Sequence, residues 1–202
     1  FNSMSSGQLS TPSIVAKWEI PLSDGVYTVE FEHGTASGTR AIFINGKCIR
    51  RQEFKFALIG EEHFKVGSEA HCTVQIKTVS SMDYGYFLLV NGLPFEQFLA
   101  NQAKQLKCWI LPVDGESLRV VLRLDSMEVY SNGEQLDSMG EFTDEGSETH
   151  FELRGTPCMI RVTNSATSAA GRRKLLKYTM YYGNNEVPEA AVDQMNIWDA
   201  HW

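Results

Sequence analysis

No uninterrupted apolar stretch in the 202 residues approaches the ~18 that a membrane-crossing helix needs. No charged-then-apolar segment of the secretory kind opens the chain. Positive charge is in short supply: 18 Lys and Arg stand against 25 Asp and Glu, leaving −7 and a pI near 5.3. That balance argues against a broad electrostatic surface for nucleic acid or an anionic membrane, and neither is expected as a partner. Cysteine is sparse and scattered. Cys48, Cys72, Cys108 and Cys158 form no C-x-x-C pair, so the expectation is four free thiols in a reducing, cytoplasmic setting. Also missing are a Gly-rich phosphate loop, a G-x-S-x-G elbow and an H-E-x-x-H helix. No catalytic residue, metal ligand or cofactor is therefore assigned, and the protein is expected not to be an enzyme. The rest of the composition is ordinary, with 43% hydrophobic and 21% charged residues. A chain of this length buries roughly 70% of its unfolded surface without metal or disulfide.

Residues 1–13 read as an appended remnant (Phe1-Asn2-Ser3, ahead of Met4) and a Ser/Gly/Thr/Pro leader too polar to pack. From Ile14 onward, period-2 alternation recurs. Tyr27, Val29 and Phe31 oppose Val26, Thr28 and Glu30; Phe54, Phe56 and Leu58 oppose Glu53, Lys55 and Ala57; Leu118, Val120, Leu122 and Leu124 oppose Arg119, Val121 and Arg123. Such alternation places one set on a buried sheet face and the other towards solvent or a second layer. Between the runs lie Asp24-Gly25, Asn45-Gly46, Asn91-Gly92, Asp114-Gly115 and Asn132-Gly133, pairs that suit tight hairpins. Many short strands with frequent turns predict an all-β antiparallel protein. Helical spacing is persuasive only over Phe95, Phe98, Leu99, Gln102 and Leu106, which predicts a short connector midway.

The two halves resemble each other. Trp18 ahead of Asp24-Gly25 matches Trp109 ahead of Asp114-Gly115. His63-Phe64 matches His150-Phe151, Cys72 matches Cys158, and the turn ending at Pro94 matches that ending at Pro188. The separations are 91, 87, 86 and 94 residues, and the differences fall in loops, where insertion is tolerated. The chain therefore reads as two tandem β domains of about 85 residues each: 14–103 with the connector, and 104–190. An aromatic and acidic tail, 191–202, comes last. Its Val192, Met195, Trp198 and Trp202 share one side if helical, and docking onto its own domain is expected.

The chemistry-bearing residues read mostly as structural. Cys72 and Cys158 share the phase of the apolar residues beside them, so both are expected in the core; Cys48 and Cys108 sit at positions that allow more exposure. His63 and His150 fall one per repeat, too few for a zinc site, and read as structural. His71 and Cys72 are adjacent and so point to opposite strand faces, which rules out a nucleophile–base pair between them. Trp18 and Trp109 are expected to be equivalent and largely buried. Arg172-Arg173-Lys174 reads as a solvated loop end or edge guard.

These residues carry a resemblance to the Fas apoptosis inhibitory molecule family. The matching stretches are Trp18 with Leu22-Ser23-Asp24-Gly25, Val29 to Thr35 with Ser37-Gly38, and Trp109 with Asp114-Gly115-Glu116. Gly140-Glu141-Phe142, Glu148-Thr149-His150-Phe151 and Glu186-Val187-Pro188-Glu189 match further along, so that the likeness spans roughly residues 14 to 190. The resemblance implies two β-sandwich-like domains and a cytosolic, non-enzymatic protein that restrains death-receptor apoptosis through protein partners. It also implies links to neurite outgrowth through NF-κB and to protection from aggregation. A holdase acting on aggregation-prone clients is the alternative, and an unrecognised hydrolase a third. The resemblance supplies no catalytic motif and no partner-binding residues.

Overall fold

The computed structural model describes residues 13–81, 83–165 and 175–193. The leader, the basic run Arg172-Arg173-Lys174 and the tail beyond Asp193 lie outside them. The first repeat builds β1 (Ile14–Leu22), β2 (Gly25–Gly34), β3 (Thr39–Ile44) and β4 (Lys47–Gln52) into one sheet in chain order. Then β5 (Gly60–Val66), β6 (Ala70–Thr78), β7 (Tyr84–Val90) and β8 (Leu93–Pro94) form a second. After helix α1 (Phe95–Gln105) the pattern returns. The strands β9 (Leu106–Val113), β10 (Glu116–Arg123), β11 (Val129–Ser131) and β12 (Glu134–Leu136) share a sheet, with the late strand β18 (Glu189–Ala190) added beside β9. A five-stranded sheet of β13 (Ser138–Thr143), β14 (Gly146–Leu153), β15 (Thr156–Ser165), β16 (Leu175–Tyr182) and β17 (Asn185–Val187) completes it. The protein is all-β with two tandem sandwich-like halves, and the matched residues take matching strands: His63 on β5 and His150 on β14, Cys72 on β6 and Cys158 on β15.

The turns derive from their dipeptides. Asn45-Gly46, Asn91-Gly92, Asp114-Gly115 and Asn132-Gly133 each place both residues at positive φ, between 44° and 91°. That double left-handed conformation matches the twist of the flanking strands and suits Asn or Asp before Gly. Asp24-Gly25 departs from the set. The Asp24 carboxylate instead accepts hydrogen bonds from the Ser68 backbone N–H and hydroxyl, each at 3.0 Å.

The chain forms two compact units. Of the described residues, one comprises 13–19, Tyr27–Val66 and His71–Pro94; the other holds Ile20–Val26, Gly67–Ala70 and those from Phe95 onward. In the second unit Trp109, Leu111, Val120, Leu122, Phe151, Ile160 and Met180 belong to one core cluster between the sheets. Leu106, Cys108 and Val121 form a smaller cluster that includes Val192. Strand β10 is thus buried on both faces, and the opposing residues of its alternation meet a second layer rather than water. Of the tail, Ala191–Asp193 are described, and the Val192 carbonyl accepts a hydrogen bond from Arg119 at 3.1 Å.

Two expectations are corrected. Trp109 is fully buried, but Trp18 is only half-buried: among the described residues β1 is an edge strand, flanked by β2 on one side only. Residues 53–59 form no strand, although their alternation is clean. Their backbone hydrogen bonds go elsewhere. The Lys55 N–H donates to the Gly38 carbonyl at 2.8 Å, and the Arg40 guanidinium takes the carbonyls of Ala57 and Ile59. A side-chain cation has replaced a strand ladder, leaving Phe54 and Phe56 74% and 64% exposed.

Candidate interaction surface

The site with the most unusual chemistry lies in the first unit, where β3, β4, β5 and the strap 53–59 meet. Arg40 and Glu62 are both almost fully buried. Arg40 donates to a Glu62 carboxylate oxygen at 2.9 Å, Lys55 donates to the same oxygen at 2.6 Å, and Arg50 lies 3.7 Å from the other. Three cations share one carboxylate. Burial alone would raise the Glu62 carboxyl, but the hydrogen bonds and charges of Lys55 and Arg40 more than offset it and hold it below its ordinary value.

The aim of Arg50 comes from a bulge. Ile42 faces Arg50 and Phe43 faces Cys48 across the β3–β4 ladder, so Ile49 is the extra residue. One inserted residue reverses the phase of the strand beyond it. Arg50 thereby joins the Arg40 side of the sheet and reaches Glu62. Arg51 takes the opposite side and donates to Glu32 at 2.8 Å. Strand β4 carries Lys47, Arg50 and Arg51, has no acidic residue, is exposed along its whole length and is last in its sheet.

Beside this network, His33 is buried across the ladder from Arg40, with Nδ1 2.9 Å from the Tyr86 hydroxyl and Tyr84 packed edge-on. Its Nε2 has no partner among the described residues. Burial, and then the charge of Arg40, push its pKa below the ordinary 6.5. The fold therefore prefers neutral His33. Its stability contribution is complete above the unfolded value near 6.5 and declines as pH falls towards the lower folded value; Glu62, also lowered, extends the loss further into acid. Denaturant melts of the native chain should show stability falling from pH 7 to pH 5, and His33→Gln should flatten that slope. An equal slope in the variant would contradict the assignment.

Among the thiols, Cys72, Cys108 and Cys158 are buried and Cys48 is exposed, so of the two placed for more exposure Cys108 is the exception. Burial pushes the Cys72 thiol to about 12 and Cys158 to about 11, and raises Cys108 against the opposing pull of Arg119. Thiol titration of the native protein should show one fast group, abolished by Cys48→Ser, and three that react on unfolding. Two or more fast groups would overturn this. His71 is exposed while Cys72 is buried, as their adjacency requires.

His63 and His150 repeat one arrangement, each near the Glu two positions before it: Glu61 at 3.6 Å and Glu148 at 3.4 Å. In the second repeat the β13 strand adds Glu141, 3.2 Å from His150, so that three ligand-type atoms converge within 4.8 Å. Arg161 donates to Glu148 at 2.7 Å and compensates the charge. Counting histidines along the chain misses these carboxylates. The i, i+2 spacing of Glu148 and His150 is visible in the sequence, but the cross-strand Glu141 requires the register. The β13 edge also presents Phe142, 96% exposed, but bears no cation.

Together these features define a duplicated all-β protein with open sheet edges, one of them basic and bordered by exposed apolar residues. Residues 14–190 match the model of the Fas apoptotic inhibitory molecule (FAIM1) family. The chain is similar to Fas apoptotic inhibitory molecule 1 of Homo sapiens, 40% identical over 179 residues that cover 88% of this chain and 98% of that protein. With the Rattus norvegicus protein of the same name it is 41% identical over 177 residues, covering 87% and 86%; with that of Mus musculus, 40% over 177, covering 87% and 97%. The chain belongs to this family.

Proposed function

We propose that this protein inhibits apoptosis triggered through Fas-type death receptors, in the cytoplasm, by binding a protein partner and without catalysis. The relatives' shared name supports the anti-apoptotic role. The structural observation that favours binding is the β4 edge with its strap, where backbone, charge and exposed aromatic rings lie together. Cells lacking the endogenous relative, complemented with this chain and exposed to Fas ligand, test the reading. Caspase activation should fall relative to empty vector, and the chain should recover a discrete partner from cytosol. Undiminished caspase activation would refute it. A holdase would instead suppress light scattering by an unrelated aggregating client and keep doing so when β4 is altered.

A further inference from the structure

We infer that the β4 edge and the strap 53–59 bind an extended, acidic segment of a protein partner, with carboxylates at alternate positions and apolar residues between them. This rests on the protein-binding function proposed above. Three observations converge on it. First, among the described residues β4 is hydrogen-bonded to β3 alone, so its outer edge is a template for one more strand. Second, the charge there is opposite to that of the chain. Lys47, Arg50 and Arg51 occupy a six-residue strand without an acid, in a protein of net charge −7; Arg51 is paired with Glu32, and the strap beyond adds Glu53 as well as Lys55. Glu62 is one carboxylate among Arg40, Arg50 and Lys55, which leaves two positive charges in excess, and the Arg50 and Lys55 side chains are 43% and 35% exposed. Third, Ile49, Phe54, Phe56 and Ile59 are exposed beside these cations.

Cations on an edge strand ordinarily keep other strands away. A neutral or basic strand approaching β4 buries unpaired positive charge. A second copy of β4 sets like charges opposite one another, which disfavours self-pairing. A segment carrying carboxylates neutralises the excess as it pairs, so the guard becomes the basis of selection. In the second repeat the strand at the place of β4, β12, carries Glu134 and no cation, and the β13 edge carries an exposed Phe142 and Glu141 but likewise no cation, so the second repeat does not duplicate this chemistry.

Fluorescence anisotropy on the full chain tests the inference with two labelled octapeptides, Glu-Val-Glu-Phe-Glu-Val-Glu-Val and its counterpart with Lys for every Glu. The acidic peptide should bind about tenfold or more tightly than the basic one, and added salt should weaken it. Lys47→Glu combined with Arg50→Gln should cost about tenfold in affinity, with an unchanged melting profile certifying the fold. In the wild-type chain, amide shifts on titration should concentrate in residues 47–59. Equal binding of both peptides, no binding of the acidic one, shifts confined elsewhere, or full affinity in the folded variant would each overturn the inference. If the acidic peptide fails while the wild-type chain still protects cells from Fas ligand, only the partner's chemistry is wrong. If the wild-type chain gives no protection, the proposed function fails whatever the peptide does.

Discussion

Trp109→Ala is expected to destabilise the second unit by ~3–5 kcal/mol, and Trp18→Ala to cost clearly less. Trp109 is fully buried on β9, in one cluster with Leu111, Val120, Leu122, Phe151 and Ile160. Truncation there removes a large aromatic surface and leaves a void that the surrounding strands cannot close, because both sheets contribute to its walls. Trp18 keeps part of its surface in water, so less transfer free energy is at stake. Trp109→Phe gives a more specific check. The indole nitrogen of Trp109 has no hydrogen-bond partner among the described residues, and an unsatisfied buried donor costs about 1–3 kcal/mol. Phenylalanine removes that donor while keeping most of the ring, so its penalty should be well below that of alanine. Denaturant melts decide both points: a loss under about 1 kcal/mol for Trp109→Ala, the size of an ordinary point substitution, would remove this residue from the core argument.

Glu62→Ala should be of similar size, ~3–5 kcal/mol, and confined to the first unit. The mechanism differs. Glu62 is the carboxylate facing Arg40, Lys55 and Arg50, and removing it leaves the buried Arg40 guanidinium uncompensated. Desolvation that the pair tolerated together then falls on one partner. The double variant Arg40→Met with Glu62→Leu removes both charges and should be less harmful than Glu62→Ala alone, since well-packed apolar groups replace a buried pair at little cost. The strap supplies a second readout. Arg40 also holds the carbonyls of Ala57 and Ile59, so Arg40→Met should speed proteolysis between Glu53 and Ile59. A double variant as unstable as the single one would show that the network contributes more than charge compensation.

Much of the architecture was legible in the chain because it depends on local rules. Period-2 alternation marked strands such as β2 and β10. Asn-Gly and Asp-Gly placed four hairpin turns whose backbone conformation is set by those two residue types. The spacing of Phe95, Phe98, Leu99 and Leu106 located the helix within a residue of its observed end. The inward phase of Cys72 and Cys158 was set by their neighbours. Duplication was readable because each repeat kept its Trp, His, Cys and Pro anchors in order. None of these inferences required knowing which strand lay beside which.

Long-range pairing was not written in any local pattern, and it decided the rest. Phe54, Lys55 and Phe56 alternate as a strand does, but alternation supplies no partner, and Arg40 claimed the carbonyls that a ladder would have used. The phase of Arg50 depends on the Ile49 bulge, which exists only in the β3–β4 register. The convergence of Arg40 with Glu62, 22 residues on, and of Glu141 with His150 arises from the packing of sheets and the pairing of β13 with β14. Composition and periodicity determined that the protein is a duplicated β protein with Cys72 and Cys158 turned into its core. Tertiary structure alone decided where its excess positive charge gathers and which apolar side chains stay in water, because both depend on residues far apart in sequence competing for the same hydrogen bonds.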